Sequence, residues 1–315
     1  MLVTFLRLLF IGCALVFIFM LVHAWWHKRR RGELESTPFW PVAAIGFVAN
    51  FLDTLGVGSF AVKTACYKQF KLIDDRLLPG TLNGQCVLPT VTQSLIFIGV
   101  VKVDPLTLIS MMAAAAAGAA WGARHVASFD RQTIRLVMAV SLLVVAGLIF
   151  AGLLGLFPLG GEAMGLSGYK LGIALAGNFL FGVLMNVGIG LFAPCMTLVY
   201  LLGMNPLVAF PIMMGSTAVL SVFSAGTFIR KGAFDARAVL AVALFGPIGV
   251  VLAAMLVQSM DMEMLKWLVA FIVSMDMEML KWLVAFIVIY TSWTMYASWQ
   301  AARRQPESRL AGAAS

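Results

Sequence analysis

Long apolar segments occupy most of this chain and are separated by short polar stretches. They cover residues 2–26, 39–62, 78–100, 105–124, 133–157, 171–203, 206–229, 236–258 and 279–299. A helix needs roughly 20 apolar residues to cross the hydrocarbon core of a bilayer, and each segment reaches that length. Because lipid offers exposed backbone groups no hydrogen-bond partner, the segments must be helical. The sequence therefore predicts an all-α polytopic membrane protein.

The composition excludes the common soluble classes. Hydrophobic residues make up 62% and charged residues 11% of the 315 positions, against about 45–50% and about 25% in soluble domains. So few charges cannot keep a globule in solution, which excludes a soluble enzyme, a nucleic-acid-binding protein and a disordered protein. The formal net charge of +8 comes from basic residues clustered between apolar segments. Positive-inside topology produces that pattern, so no nucleic-acid partner is indicated.

The chain contains a long internal repeat. The sequence GVGSFA at 56–61 matches GIGLFA at 188–193, 132 positions later. Such duplication is a frequent plan of secondary transporters. The predicted organisation is an extra N-terminal span with a basic linker at 1–38, a first transmembrane repeat at 39–157, a linker at 158–169, a second repeat at 170–300 and a tail at 301–315.

Loop charges indicate that the two repeats are inverted in the membrane. In the first repeat, the successive loops are basic at 63–77, neutral at 100–104 and basic at 124–135. In the second repeat, the order is neutral, basic and acidic, with the basic loop at 229–237. If basic loops face the cytoplasm, the repeats have opposite orientations.

The same charges predict broken, re-entrant first helices. The basic stretches 28–31 and 63–77 both belong in the cytoplasm, yet a single apolar segment separates them. That segment must enter the membrane and return, with its turn at Gly56 to Gly58, since glycine adopts turn conformations easily. The equivalent turn at Gly188 to Gly190 would enter from the opposite face. We expect the two tips to meet near the midplane and form a binding site there.

A second repeat is of a different kind. Residues 259–273 recur without change at 274–288. The first copy contains only ten consecutive apolar residues, at 264–273, which are too few to span a bilayer. We expect this copy to be re-entrant or interfacial. Whether the duplication is natural or an artefact stays open.

Several motifs resemble the sulfite exporter TauE/SafE family of permeases. They are NFLDTLGVGSF at 50–60, DDRLLPGTLN at 74–83, GIG at 188–190 and LGMNP at 202–206, together with Ala209. The resemblance covers about residues 40–299. It implies transport of sulfite, organosulfonates and related small anions, coupled to the proton gradient. The extra N-terminal span, the repeated 15-mer and the lack of a run of three glycines depart from the family's pattern.

Two charged residues inside apolar segments are the foremost candidates for transport chemistry. Asp53 lies three positions before the first glycine turn, and its counterpart in the second repeat is Met185. A carboxyl at membrane depth can carry a proton, but it can also cap the broken helix or pair with Lys63. The counterpart of Lys63 is Cys195. This cation is expected to attract an anion or to pair with Asp53.

Polar residues and glycines around the two turns complete the predicted substrate and proton site. They are Asn50, Thr54, Gly56, Gly58, Ser59, Asn83, Gln85, Asn186, Gly188, Gly190 and Cys195. Two interpretations stay open for the polar side chains, which either line a pathway or join neighbouring helices by hydrogen bonds.

The sequence favours a secondary transporter working by alternating access, with an anion channel or a structural membrane subunit as the alternative. It shows no nucleophile beside a base, so we expect no enzyme and no catalytic residue. The cysteines and histidines are dispersed, so we expect no disulfide framework, no metal and no cofactor. The expected partners are a small anion, protons, lipid and a second copy in a homo-oligomer. The expected location is the bacterial inner membrane, with a periplasmic N-terminus and a cytoplasmic C-terminus.

Overall fold

The computed structural model describes residues 2–55, 59–99, 103–153, 161–205, 208–258, 286 and 289–301. In this part of the chain the helices are α1 (Leu2–Arg31), α2 (Phe39–Thr54), α3 (Ser59–Gln69), α4 (Leu78–Phe97), α5 (Pro105–Val126), α6 (Arg131–Leu153), α7 (Gly168–Met185), α8 (Phe192–Leu201), α9 (Ala209–Arg230), α10 (Ala236–Gln258) and α11 (289–301).

Five of the described helices are long and apolar enough to cross a membrane. These are α1, α5, α7, α9 and the part of α10 up to Leu256. α4 has 20 residues, but it carries polar side chains that include Asn83, Gln85 and Gln93, all fully buried inside the protein. The prediction of an all-α, multi-pass membrane protein is confirmed.

Helix ends meet on two opposite faces of the bundle. On the first, which we call the basic face, the Nζ atom of Lys231 after α9 donates to the carbonyl oxygen of Arg124 at the end of α5. Nearby, the N–H of Asp235 before α10 donates to Oγ1 of Thr81 at the start of α4, at 2.9 Å. The basic face therefore gathers the ends of α5 and α9 and the starts of α4 and α10.

The opposite face carries the linker between the two halves. The N–H of Asp104, just before α5, donates to the carbonyl oxygen of Met164 at 2.9 Å. The N–H of Gly161 donates to the carbonyl oxygen of Met204, between α8 and α9, at 2.9 Å. Because α5 has 22 residues, roughly 33 Å separates this face from the basic face.

Equivalent helices of the two halves run in opposite directions. α4 begins on the basic face, whereas its counterpart α9 begins on the opposite face and ends at Arg230. α5 ends on the basic face at Val126, whereas its counterpart α10 begins there at Ala236. The inverted arrangement that the loop charges predicted is therefore present in the described helices.

Each half packs its first helix against the other half. α2 lies against α10 and α7 lies against α5, while α4 and α9 pack together in the centre. The close contacts repeat with the same symmetry, since a Cβ at Gly118 would overlap the carbonyl oxygen of Phe179, and one at Gly249 would overlap that of Phe47. Both glycines allow backbones to approach in the manner of small residues in membrane helix pairs.

The first half contains the predicted re-entrant hairpin. α2 begins on the basic face, where the Thr37 hydroxyl donates to Asp235 before α10. α3 returns to the same face, where Arg131 at the start of α6 pairs with Asp74 after α3. The two limbs therefore enter and leave on one side, as the basic stretches required.

The second half contains the inverted hairpin. α7 begins on the opposite face, where the N–H of Leu166 donates to Oγ1 of Thr107 at 2.9 Å. α8 returns to that face, where Gly203 accepts a hydrogen bond from the N–H of Ala163 at 3.4 Å. The two hairpins thus enter the bundle from opposite sides.

Several predictions fall on residues that the structure does not describe. The repeated 15-mer at 259–273 and 274–288 lies outside the described residues apart from position 286, and so does the predicted tail at 301–315 apart from position 301. The placement of the first copy at the membrane interface therefore stays a prediction, and so do the predicted domain boundaries.

Candidate functional site

The break of the second hairpin lies close to the start of α3 inside the bundle. A Cβ built on Gly190 would lie 4.0 Å from the Cβ of Phe60, in the first turn of α3. Gly188 has a φ of +99°, a conformation that glycine adopts without strain. Gly56 and Gly58 lie outside the described residues. The contact between Gly190 and Phe60 brings the break of the second half to the start of α3.

Asp53 bridges the break between α2 and α3. Its Oδ1 atom accepts the backbone N–H of Ser59, the first residue of α3, at 2.7 Å. Its Oδ2 atom accepts a hydrogen bond from Nε2 of Gln93 on α4 at 3.0 Å. Asp53 is only 6% exposed, and it is in none of the ion pairs between described residues. The carboxyl therefore caps α3, and the pairing with Lys63 considered from the sequence is absent.

Lys63 is a fully buried cation on the inner side of α3. Its exposed fraction is 0%, and its Nζ atom lies 3.7 Å from Sγ of Cys86. The same atom lies 5.7 Å from the centre of the Phe60 ring, within the range of a cation–π contact. No described carboxylate lies within ion-pair distance of Lys63. Its charge is thus left without an anionic partner among the described residues.

Residues of α4 contact both Asp53 and Lys63. Gln93 contacts Asp53, Cys86 contacts Lys63, and Gln85 accepts a hydrogen bond from the Tyr67 hydroxyl at 3.0 Å. Gln85 also donates to the carbonyl oxygen of Ala238 on α10 at 3.1 Å. The predicted site thus has neighbours in Gln93, Cys86 and Tyr67 that the site prediction left out.

Other predicted residues on these helices bond to their own backbone. Nδ2 of Asn50 donates to the carbonyl oxygen of Gly46 at 2.6 Å, and Nδ2 of Asn83 donates to that of Pro79 at 2.9 Å. Oγ1 of Thr54 donates to the carbonyl oxygen of Asn50 at 2.9 Å and accepts Nε2 of Gln93 at 3.1 Å. Of Asn50, Asn83 and Thr54, only Thr54 is therefore joined directly to the Asp53 cluster.

The predicted residues of the second half join helices. Nδ2 of Asn186 donates to the carbonyl oxygens of Ala119 at 3.2 Å and Gly182 at 3.0 Å, and its Oδ1 accepts the hydroxyl of Ser224. Cys195 is fully buried, and its thiol makes no hydrogen bond to a described side chain. These contacts agree with the helix-joining interpretation of Asn186.

A cavity of about 710 Å³ opens on the basic face beside the first hairpin. Its lining includes four basic side chains and two acidic ones, which are Lys68, Lys71, Arg131, Arg135, Asp74 and Asp75. Asp75 pairs with Lys68 at 3.0 Å and with Arg135 at 2.6 Å. Tyr67 also lines the cavity, and Lys63 lies one helical turn deeper on the same face of α3. We call this cavity the vestibule.

The part of the chain that carries this buried charge is similar to a known protein family. Residues 2–149 match the family Sulfite exporter TauE/SafE. No curated protein and no solved structure matches the chain. The match supports a membrane transporter, and it confirms the TauE/SafE resemblance for residues 2–149.

The TauE/SafE match differs in extent from the resemblance seen in the motifs. It begins at residue 2 and therefore includes α1, although the sequence motifs predicted that this span is an addition to the family's pattern. It takes in Asp53, Lys63 and Gln93, and it ends before α7. For the second half, the resemblance thus stays a prediction from its motifs.

Proposed function

We propose that this protein is a secondary transporter that carries small sulfur-containing anions, such as sulfite or an organosulfonate, across the bacterial inner membrane. Proton coupling and alternating access between the two faces are part of the proposal. The support comes from the TauE/SafE match of the first half and from the two hairpins that enter from opposite faces and touch at Gly190 and Phe60.

The buried charge of Lys63 is the observation that carries the proposal. A lone ammonium group taken out of water is costly unless a counterion accompanies it. Among the described residues Lys63 has a thiol and an aromatic ring beside it but no carboxylate. A small anion bound beside Nζ would supply the missing charge. This supports Lys63 as the substrate-binding cation.

Asp53 is proposed as the proton-binding group. It is buried within a transmembrane hairpin, and ionisable residues at such depth are usually functional. Its two oxygens accept hydrogen bonds from uncharged donors, Ser59 and Gln93. A carboxyl without a cation in contact can take up a proton more readily than one held in an ion pair. Asp53 and Lys63 would then bind proton and anion within one cluster.

The basic face is proposed as the cytoplasmic face. It carries the four basic residues at the end of α1, Lys28 to Arg31, and the vestibule, so the positive-inside rule favours this orientation. α11 approaches the same face, since Arg135 donates to the carbonyl oxygen of Ser298 at 3.5 Å. This orientation makes the N-terminus periplasmic and the C-terminus cytoplasmic. The vestibule would concentrate anions at the inner entrance.

Sulfite uptake into proteoliposomes tests the proposal. We expect saturable uptake that an imposed pH gradient stimulates in the unsubstituted protein. Lys63→Met is expected to lower uptake by at least about tenfold, because removing a desolvated charge partner is costly. Asp53→Asn is expected to abolish the stimulation by the gradient. Lys231→Met is the control, because it removes an exposed lysine of the basic face that lies outside the vestibule.

Two outcomes would contradict the proposal. If folded Lys63→Met protein transports sulfite as well as the Lys231→Met control, Lys63 is not the substrate-binding cation. If the unsubstituted protein moves neither sulfite nor an organosulfonate, the proposed substrate class is wrong.

A further inference from the structure

The side-chain amide of Gln93 is paired at one end and unpaired at the other. Its Nε2 atom donates to Oδ2 of Asp53 at 3.0 Å and to Oγ1 of Thr54 at 3.1 Å. Its Oε1 atom is buried and accepts no hydrogen bond from the described residues. Buried polar atoms are nearly always paired, so this carbonyl oxygen marks a position where another donor belongs.

The observed orientation suits an ionised Asp53. Both carboxyl oxygens accept hydrogen bonds, one from Ser59 and one from Gln93, and neither needs to donate. Rotating the amide by half a turn would place Oε1 against the carboxyl group. Only a protonated Asp53 could donate to it there, so the protonation of Asp53 selects the orientation of the amide.

The rotation also exchanges what the amide presents at its unpaired end. With Asp53 ionised, that end is a carbonyl oxygen, which repels an oxyanion. With Asp53 protonated, that end is the NH₂ group, which can donate to an oxyanion. Thr54 can follow the change, because its hydroxyl proton now points to the carbonyl oxygen of Asn50 and is free to turn towards Oε1.

We propose that Gln93 is the positioning residue that couples protonation of Asp53 to the binding of a small oxyanion beside Lys63. The proposal rests on the proposed function, which supplies the anion and the proton. It goes further by naming the group that transmits the effect. Anion binding is then favoured when Asp53 carries a proton, and release is favoured when it does not.

Few other ionisable groups lie near Asp53 in the described structure. Of the helices packed against α2, α3 contributes Lys63 and α4 contributes Cys86. α10 has one charged residue, Arg237, in its first turn on the basic face, far along the helix from the break. A pH dependence of anion binding that disappears in Asp53→Asn would therefore report Asp53 itself.

Binding of methanesulfonate to the purified full chain tests the proposal by calorimetry. This probe stays a monoanion throughout, whereas sulfite itself titrates. In the unsubstituted protein we expect the affinity to fall at least about tenfold as the pH rises through the range in which Asp53 loses its proton, because binding is linked to that proton. Gln93→Met keeps the bulk and removes both hydrogen-bonding groups. Its affinity is expected to change by less than about twofold over the same range.

Asn178→Leu is the matched control. Asn178 is also a buried amide with an unpaired oxygen, but its Nδ2 donates to the carbonyl oxygen of Met111 at 2.7 Å and to Oγ of Ser216 at 3.0 Å. Neither partner titrates, so this variant is expected to keep the pH dependence. Should Gln93→Met fail to fold, Gln93→Asn replaces it, because its shorter amide cannot reach Asp53.

Infrared difference spectra give a second readout that does not depend on the anion. The carbonyl stretch of protonated Asp53, identified by its loss in Asp53→Asn, should appear as the pH falls. The pH at which this band reaches half of its full intensity should shift in Gln93→Met and should be unchanged in Asn178→Leu.

The outcomes separate this proposal from the proposed function. A full pH dependence in Gln93→Met, or a flat one in the unsubstituted protein, overturns the role of Gln93 while leaving a Lys63-dependent anion site in place. Binding that is absent, or unaffected by Lys63→Met, overturns the proposed function and this inference with it.

Discussion

Gln93 and Ser224 occupy equivalent positions on α4 and α9, and each binds the residue at the end of the first limb of its hairpin. Nε2 of Gln93 donates to Thr54 at 3.1 Å, and the hydroxyl of Ser224 donates to Oδ1 of Asn186. The duplicated halves have thus kept one hydrogen bond at each break. They differ in the carboxyl of Asp53, whose counterpart is Met185. Structural support is therefore shared by both breaks, whereas the ionisable cluster belongs to the first.

Ser224→Ala is expected to destabilise the protein without changing the proton dependence of transport. The substitution leaves Oδ1 of Asn186 buried without its donor, which costs about 1–3 kcal/mol. Thermal unfolding in detergent measures the effect. Thr227→Ala on the same helix is the control, since Thr227 bonds only to the carbonyl oxygen of Phe223 near the surface. Equal losses of stability in Ser224→Ala and Thr227→Ala would contradict a stabilising role for the hydrogen bond between Ser224 and Asn186.

Gly118→Ala is expected to force α5 and α7 apart. The added methyl group would overlap the carbonyl oxygen of Phe179, a backbone atom that cannot turn away. Overpacking of this kind costs typically about 1–3 kcal/mol. Gly172→Ala in α7 meets nothing within 4 Å and should stabilise the helix by up to about 1 kcal/mol. Unfolding midpoints in one detergent compare the two, and a stabilised Gly118→Ala would exclude the close packing.

Asp104 is expected to contribute stability that is lost in acid. Hydrogen bonds from the backbone N–H and hydroxyl of Thr107 hold the pKa of the Asp104 carboxyl below its ordinary value. The carboxylate therefore stabilises the fold above the unfolded-state pKa, about 3.9, and this contribution disappears as the pH falls through the lower folded-state value.

Asp104→Asn tests that expectation. Asn still caps α5 through its side-chain oxygen, so the variant loses only the negative charge at the helix N-terminus, which should cost about 0.3–1 kcal/mol near neutral pH. The variant should also lose less stability than the unsubstituted protein when the pH is lowered, because the amide does not titrate. Unfolding measured across a pH series provides the comparison. An identical acid dependence in both proteins would show that Asp104 does not contribute it.

The vestibule is expected to act through long-range attraction. Neutralising Lys71 and Arg131 together should slow sulfite uptake at low ionic strength by several-fold. At about 1 M salt the screening length falls to about 3 Å, so the difference should vanish. Initial uptake rates at several salt concentrations test this, with Lys231→Met as the control. A loss that persists at high salt would assign these residues a contact role instead.

Much of the architecture follows from local features of the sequence. The glycine turns and the charges of the loops at 63–77, 124–135 and 229–237 predict two inverted hairpins, because topology depends on where charge and helix breaks fall along the chain. The contacts of Gln93 could not be predicted in this way, since Asp53 lies 40 positions earlier and meets it only after α4 packs against the first hairpin. In the sequence, Gln93 stands out only as one of several polar residues in the apolar segment 78–100.

The cap on α3 could be anticipated only as one alternative. Asp53 lies six positions before Ser59, and whether its side chain turns towards that N–H or towards Lys63 depends on the fold of the intervening turn. The structure shows the cap. The absence of an ion pair at Lys63 then follows from tertiary packing, which buries this side chain with no described carboxylate within ion-pair distance.

Sulfite counterflow in proteoliposomes tests the central claim most directly. Vesicles loaded with unlabelled sulfite and diluted into labelled sulfite should accumulate label transiently if the protein is a carrier. Lys63→Met should lose this overshoot, and Lys231→Met should keep it. Label that only equilibrates, without overshoot or saturation, would contradict a carrier and favour a channel, and an overshoot that survives in folded Lys63→Met protein would contradict an anion site at Lys63.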